Sequence, residues 1–270
     1  MKLGIGTYAF MWSIGFPGAA PTKPMSAFEL LAKAMELGVK VVQYGPNLPL
    51  DSLSKDDLLT LLTMAAANGI SIEIGTQGLD PNHLRGQIEF AIKVGSRLLR
   101  TTTEGPDGIA VPPEEMREKI LEVVPSLVKN DVFLAIENGR VPASTLADLV
   151  GSANSPYVGI TLDTVNSLAI PEGPEQVADL LSKHAKSLHV KDFNVERLWH
   201  RMGFSVQGRP AGGGQLNVPR LLERLENSAP DLNAILELWP PEQATLEDTI
   251  RLENAWAAES ITYLRNYISD

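Results

Sequence analysis

The feature that most constrains the fold is a regular alternation of short β-rich runs with amphipathic helical runs, with a period of about 30 residues. Helical runs such as AFELLAKAMELG and DDLLTLLTMAAANG separate the β-rich runs, and several end in glycine or asparagine, the usual helix stop signal. No Gly/Ser/Pro-rich linker divides the chain. The pattern predicts an α/β fold, a (β/α)8 TIM barrel formed by residues 1–270 as one domain. The eight predicted strands begin at Leu3, Val39, Ile70, Ser96, Val132, Val158, Lys186 and Asn233.

A doubly wound open sheet is the alternative fold for such an alternation. That fold normally carries a glycine-rich phosphate loop directly after its first strand. Here the first strand leads into TYAFMWSIGF, which has no such pattern. The sequence therefore favours the barrel.

Charge and cysteine content narrow the classes of function. The 270 residues include 33 acidic and 23 basic side chains, for a formal net charge of −10. This balance argues against a surface that binds nucleic-acid backbones. The chain has no cysteine, which excludes disulfides and thiolate metal sites. The N-terminal MKLGIGTYAF does not resemble a secretory signal, and no apolar run approaches about 18 residues. We expect a cytoplasmic protein with no membrane partner.

Four polar side chains lie near the predicted carboxyl ends of consecutive strands. The fifth to eighth strands end in AIEN, TLDT, LHVKD and LEL. Side chains alternate across a strand, so one polar group from each strand can point into the barrel. Catalytic groups of TIM barrels come from this end. We therefore expect one converging set: Glu137, Asp163, His189 and Glu237.

Three carboxylates facing an imidazole would repel and desolvate one another unless a cation lies between them. Oxygen-rich ligation with one nitrogen suits a hard or borderline divalent ion. We expect one such ion. Mn²⁺ is the first choice, and Mg²⁺ and Co²⁺ are the alternatives. Each residue also has a structural explanation, because His189 could be a hydrogen-bonded core residue, Glu137 a solvent-facing strand end and Asp163 a turn cap.

Other polar residues are candidates for substrate binding. Lys191 is predicted on the inward face, two residues after His189, where it could act as an acid, hold a substrate carboxylate or form a salt bridge. Arg100, on the fourth strand, could bind an anion or form an ion pair. Residues 193–217 form the longest non-helical insert, a long loop of the kind that is usually functional. Its Arg197 and Arg209 could close over a carboxylate or phosphate, or remain solvated.

The segments AIEN, GITLDT, SLHVKD and ILELWP, in this order, resemble the metal-site strands of the sugar phosphate isomerase/epimerase superfamily, the xylose isomerase-like barrels. The resemblance covers essentially the whole chain and is strongest from Glu137 to Glu237. It implies that the matching glutamate, aspartate, histidine and glutamate bind one divalent ion. It also implies that Glu137 and Glu237 act as an acid/base pair. A small sugar, sugar acid or sugar phosphate would be the substrate.

Two positions depart from the epimerase pattern. Asn166 stands where epimerases of the group often have a histidine, and Gln43 stands where they commonly have a glutamate on the second strand. Both changes would alter substrate contacts. The stretch from Val190 to Pro219 also resembles a smaller branch, the decarboxylases and lyases of 3-oxo sugar acids. The superfamily's repair endonucleases have a histidine-rich site, whereas this chain has four histidines.

Three hypotheses on function follow. The first is a metal-dependent sugar isomerase or epimerase that works through an enediolate. The second is a decarboxylase or lyase of a 3-oxo sugar acid that works through the same enolate. The third is a binding subunit without catalysis. A homodimer or homotetramer is expected, and no nucleic-acid partner.

Overall fold

The fold was obtained as a computed structural model, which describes residues 1–105, 107–109, 111–229 and 232–269. Eight parallel strands close into a barrel in the order β1-β10-β7-β6-β5-β4-β3-β2. Each of the eight predicted runs overlaps one barrel strand, which confirms the predicted (β/α)8 TIM barrel. The strands are β1 Lys2–Gly6, β2 Val41–Tyr44, β3 Ser71–Gly75, β4 Leu98–Thr101, β5 Phe133–Glu137, β6 Val158–Asp163, β7 Ala185–Val190, β8 Asp192–Arg197, β9 Phe204–Arg209 and β10 Asn233–Leu236.

Helices connect the barrel strands and cover the outside of the barrel. Short 3₁₀ turns occur at Thr7–Phe10, Leu50–Ser52, Asn166–Ala169 and Ser182–His184. The α-helices are α1 Met11–Ile14, α2 Ala27–Leu37, α3 Lys55–Ala67, α4 Pro81–Val94, α5 Pro113–Asn130, α6 Ala143–Ser152, α7 Pro174–Leu181, α8 Val218–Ser228 and α9 Leu246–Leu264. Among the described residues, no helix is long and apolar enough to cross a bilayer.

Local sequence chemistry sets where the helices begin and end. In α2, the Ser26 side chain accepts a hydrogen bond from the Glu29 backbone N–H, and the Glu29 carboxylate accepts one from the Ser26 backbone N–H. The helix ends at Gly38, which takes the left-handed conformation at φ 70°. The same device ends α4 at Gly95, with φ 73°. These caps fix the residues at which the helices begin or end.

The carboxyl ends of the barrel strands hold polar residues in a largely apolar interior. β6 is buried along all six residues, and its register pairs Asp163 with His189 of β7. β5 ends at Glu137, whose neighbour across the ladder is Thr161. Consecutive strands of a parallel sheet share one edge, so their last side chains meet there. The fold therefore gathers the polar strand ends at one mouth of the barrel.

The insert after β7 has more structure than the expected loop. The strand predicted to run to Phe193 ends at Val190, and residues 192–209 form an antiparallel hairpin of β8 and β9. The Asp192 carboxylate accepts hydrogen bonds from four backbone N–H groups, which lie at Phe193, Gly212, Gly214 and Leu216. This carboxylate ties the start of the hairpin to the glycine-rich turn that follows it.

Candidate metal centre

Four buried side chains meet at the carboxyl end of the barrel, as the sequence predicts. They are at most 3% exposed, and each offers one ligand atom such that all these atoms lie within 4.8 Å of one another. Each residue comes from, or directly follows, a different strand: β5, β6, β7 and β10. We call this set the four-residue cluster: Glu137, Asp163, His189 and Glu237.

The imidazole of His189 shows whether a cation fits this cluster. Its Nε2 lies 2.8 Å from Gln43 Oε1, whereas no group in the described part of the chain forms a hydrogen bond with its Nδ1. Nδ1 faces Glu237 Oε1 at 3.2 Å, Glu137 Oε2 at 3.4 Å and Asp163 Oδ2 at 3.9 Å. Three buried carboxylate oxygens around one ring nitrogen are an unfavourable arrangement unless the ring is protonated or a cation lies between them. The donor set therefore fits a divalent cation.

Glu137 is held by two neighbours, one on β4 and one in the 3₁₀ turn that follows β6. The Arg100 guanidinium, on β4, donates to Glu137 Oε2 through Nε and forms an ion pair with it through a terminal nitrogen. The Asn166 side-chain amide donates to Glu137 Oε1 at 2.6 Å. Both carboxylate oxygens thus have partners, and Arg100 is occupied by Glu137.

Lys191 places an ammonium group at the rim of the cluster. Its Nζ lies 2.8 Å from Asp163 Oδ2 and 2.8 Å from Glu237 Oε2, and it donates to Asn166 Oδ1 at 3.1 Å. The side chain is 14% exposed. Lys191 therefore links two carboxylates of the cluster and still reaches the solvent side.

The charges of the cluster shift the pKa values of its members. Burial by itself raises the pKa of Glu137, but Arg100 and His189 outweigh burial and hold that pKa at about 2. Burial opposes the charge on His189, yet Glu237 and Glu137 raise its pKa to about 10. Burial likewise disfavours charged Lys191, and Asp163 together with Glu237 raises its pKa above the ordinary value.

The two remaining acids of the cluster shift in opposite directions. Burial would raise the pKa of Glu237, but the positive charges of His189 and Lys191 lower it. The pKa of Asp163 is raised, because burial and the nearby glutamates outweigh Lys191. Asp163 Oδ1 accepts from the backbone N–H groups of Val165 and Asn166, so its Oδ2 is the oxygen that faces the cluster.

A cavity of about 310 Å³ opens beside the cluster. Three of its lining residues were not predicted from the sequence. Each of them closely follows the carboxyl end of a strand, and this position is the signal that could have identified them. They are Tyr8, Glu104 and Arg140. Glu104 forms an ion pair with Arg140 Nε at 2.5 Å, and the Arg140 side chain is 67% exposed. Residues predicted from the sequence also line the cavity: Arg100, Glu137, Asn166, Lys191 and Glu237.

Three residues expected to contact substrate lie elsewhere. Gln43 is buried below the cluster, where both ends of its carboxamide are hydrogen-bonded. Arg197 lies in the hairpin, where it donates to the Arg201 carbonyl and packs on the Phe204 ring. Arg209 donates to the Gly208 carbonyl at 2.8 Å. None of the three lines the cavity beside the cluster.

The closed parallel barrel and the buried acid/histidine set at its carboxyl end define a barrel protein with a candidate metal centre. A family model, the xylose isomerase-like TIM barrel, matches residues 31–267. The chain belongs to this family, which confirms the resemblance seen in the sequence.

Known proteins of similar sequence or structure include enzymes. The 3-oxo-isoapionate decarboxylase of Pectobacterium atrosepticum is 30% identical over 266 residues, which are 98% of this chain and 95% of that protein. A D-psicose 3-epimerase structure with D-tagatose, from Clostridium cellulolyticum H10, has a TM-score of 0.74 at 14% identity and covers 100% of both chains. A xylose isomerase-like barrel protein from Mycobacterium smegmatis in complex with magnesium has a TM-score of 0.71 at 14% identity, with 97% of both chains covered.

Proposed function

We propose that this protein is a divalent-metal-dependent decarboxylase of a 3-oxo sugar acid. The observation that carries the proposal is the position of the Lys191 ammonium, at the edge of the cavity and 2.8 Å from two carboxylates of the four-residue cluster. Decarboxylation requires a proton donor and no catalytic base. The relative that is 30% identical over nearly the whole chain is named as a decarboxylase of a 3-oxo sugar acid.

The four-residue cluster would hold the metal through three carboxylates and the free Nδ1 of His189. When bound, a divalent cation supplies Lewis acidity toward the ketone and stabilises the negative charge that develops on the ketone oxygen. Mn²⁺ is the ion we propose first, with Mg²⁺ and Co²⁺ as alternatives for this oxygen-rich set.

In the proposed reaction, the bond between the carboxylate carbon and C2 breaks, and its electron pair moves toward the C3 ketone oxygen as an enolate. Carbon dioxide leaves, and C2 then takes one proton. The neighbouring carboxylates keep Lys191 in its ammonium form, and this ammonium group lines the cavity, so Lys191 is the proton donor. An enolate carbon is a strong base and takes a proton even from a weak acid such as an ammonium group. The lysine recovers a proton from solvent, so one proton is consumed for each carbon dioxide released. Asn166 and Arg140 line the same cavity and orient the substrate oxygens.

Sugar isomerisation or epimerisation is the second candidate function. Glu137 and Glu237 both line the cavity, as an acid/base pair would require. Their surroundings favour a ligand role instead: both are kept ionised, Glu137 by Arg100 and Glu237 by His189 and Lys191. A base whose pKa is held this low removes a carbon-bound proton poorly.

The test compares carbon dioxide release with proton exchange. The protein, loaded with Mn²⁺, Mg²⁺ or Co²⁺, is incubated with 3-oxo sugar acids and separately with free ketoses in D₂O. We expect carbon dioxide release from the acids and one deuterium on the product carbon that was C2 of the substrate. Deuterium wash-in to ketoses without loss of carbon would instead support the epimerase. Failure to bind any divalent ion would support a binding subunit without catalysis.

Lys191→Met tests the proton donor. We expect kcat for carbon dioxide release to fall about 10²- to 10⁴-fold, with metal binding retained. Lys186→Met is the matched control, because Lys186 lies near the amino end of β7, the strand that Lys191 directly follows, and lines a separate cavity. Equal rates for Lys191→Met and the control would remove Lys191 from the mechanism.

A further inference from the structure

We infer that Gln43, held by Glu73, is a positioning residue that fixes which nitrogen of His189 faces the metal. The inference rests on the proposed metal centre and extends it to residues below the cluster. Gln43 and Glu73 are directly opposite each other on β2 and β3, and their side chains meet inside the barrel. They are 3% and 6% exposed, and His189 is fully buried.

A chain of hydrogen bonds crosses the barrel interior beneath His189. Asn233 Nδ2 donates to Glu73 Oε1 at 2.7 Å. Gln43 Nε2 donates to Glu73 Oε2 at 3.0 Å. The remaining atom of the Gln43 carboxamide, Oε1, lies 2.8 Å from His189 Nε2. Four residues from β10, β3, β2 and β7 are thereby joined in one line.

The direction of each hydrogen bond follows from the chemistry of the groups. The Glu73 carboxylate accepts, so the amide nitrogen of Gln43 must face Glu73 and its oxygen must face His189. An amide oxygen only accepts, so His189 Nε2 must carry the proton. A neutral imidazole with a proton on Nε2 has its lone pair on Nδ1, which faces the three carboxylates. Outer hydrogen bonds of this kind set the tautomer and orientation of metal-binding histidines.

Glutamine at position 43 also avoids a charge conflict. A glutamate there would place a second carboxylate against Glu73, which is a buried like-charge contact. The neutral carboxamide accepts from His189 and donates to Glu73 at the same time. Gln43 therefore acts through His189, and it does not line the cavity that would hold substrate.

The first experiment measures Mn²⁺ binding by calorimetry. Gln43→Leu removes the acceptor, and we expect metal affinity to fall about 10- to 100-fold. Gln87→Leu, the same change on the outer helix α4, should leave the affinity unchanged. Thermal unfolding of each metal-free variant checks folding.

Exchanging the side chains of Gln43 and Glu73 tests the positioning role without leaving a cavity in the barrel interior. Gln43→Glu alone should weaken metal binding, because two carboxylates then face each other. The double variant Gln43→Glu/Glu73→Gln restores donor and acceptor at every link, and we expect its affinity to return to within about threefold of the unmodified protein. Failure of the exchange to recover the affinity would overturn the inference, even if Gln43→Leu does not fold.

Nitrogen-15 NMR with Mg²⁺ or Zn²⁺ bound supplies a readout independent of activity. We expect a slowly exchanging Nε2 proton on His189 and a metal-dependent shift at Nδ1. A metal-dependent shift at Nε2 would contradict the inference. Binding and carbon dioxide release that are normal in both unmodified protein and Gln43→Leu would overturn this inference alone. Absence of metal binding in the unmodified protein would overturn the proposed function as well.

Discussion

His189 illustrates how two atoms of one ring take different roles at the residue scale. Nε2 is engaged by Gln43 within the barrel, and Nδ1 faces carboxylates with no hydrogen-bond partner in the described part of the chain. The ring is fully buried. The same carboxylates that raise the His189 pKa would attract a metal cation. A cation is therefore inferred from the surroundings of one atom, Nδ1 of His189. The number of acidic residues nearby would not by itself support this inference.

Glu237→Gln is the prediction that addresses one member of the cluster. The change keeps the shape of the side chain but removes a negative charge 3.2 Å from His189 Nδ1 and 2.8 Å from Lys191 Nζ. We expect Mn²⁺ affinity to fall by at least about 100-fold and turnover to fall by orders of magnitude, and Glu137→Gln should act alike. Calorimetry and steady-state kinetics measure the two effects. Glu89→Gln, an exposed change on α4, is the control, and unchanged affinity in the cluster variants would remove these residues as ligands.

The residues of the cluster were predictable because they share one edge of the sheet, and that edge follows from strand order alone. The role of Gln43 was not predictable in the same way. Its contact with His189 joins residues 146 positions apart in the chain, and it depends on side chains that point across the barrel interior. Glu73 gave a signal, a charge inside the buried run ISIEIG, but no partner could be assigned to it from the sequence.

At the scale of elements, the hairpin after β7 is the main difference from the expected structure. The sequence predicts one strand through KSLHVKDF, but Lys191 interrupts it and Asp192 begins an antiparallel pair. The pairing depends on Phe204–Arg209, which no local pattern connects to Asp192–Arg197. The glycine-rich turn is explained by geometry, since Gly212 has φ 84° and packs against the Tyr263 ring.

Asp192→Asn tests how the hairpin is anchored. The change replaces one acceptor oxygen by an NH₂ group, which then faces backbone N–H donors at Gly212 and Gly214 or at Leu216. We expect a loss of about 1–3 kcal/mol in the free energy of unfolding, with faster amide hydrogen exchange in residues 212–216. Mass-spectrometric exchange localises the effect. The exposed change Asp148→Asn is the control, and equal exchange in the two variants would argue against the anchoring role.

The contact between α9 and α1 gives a prediction on pH. Glu253 of α9 is fully buried and accepts from the backbone N–H groups of Trp12 and Ser13 and from the Ser13 hydroxyl. Burial raises its pKa from 4.5 to about 7. The folded state therefore binds more protons than the unfolded state between these values. The stabilisation is present below about pH 4.5 and is lost as pH rises toward 7, by up to about 3 kcal/mol.

Glu253→Gln should remove this part of the pH dependence. Chemical denaturation between pH 5 and pH 8 measures the free energy of unfolding of both proteins, and their difference cancels the other titrating groups. Glu259→Gln, an exposed change on the same helix, is the control. A pH profile of Glu253→Gln identical to that of the unmodified protein would contradict the buried-carboxyl explanation.

At the scale of the whole molecule, metal binding and barrel stability should be coupled. The four-residue cluster draws ligands from β5, β6, β7 and from the residue that follows β10, so one ion would join four strands of the closed sheet. An ion that binds the folded state alone stabilises it by about 2.7 kcal/mol at 100 times its dissociation constant. For a protein of about this size, this stabilisation corresponds to a rise in Tm of about 5–10 °C. Differential scanning calorimetry of protein treated with a chelator, before and after Mn²⁺ addition, measures the shift.

The same measurement on Glu237→Gln distinguishes an ion bound in the buried cluster from ions bound to surface carboxylates. The chain carries 33 acidic residues, so weak binding of Mn²⁺ to exposed carboxylates would also change the Tm. Such binding would persist in Glu237→Gln, because that residue is 2% exposed and contributes nothing to surface sites. A Tm shift confined to the unmodified protein, at equal Mn²⁺ concentration, is the result expected of a buried site. Equal shifts in both proteins would place the ion on the surface and leave the strand ends without a metal.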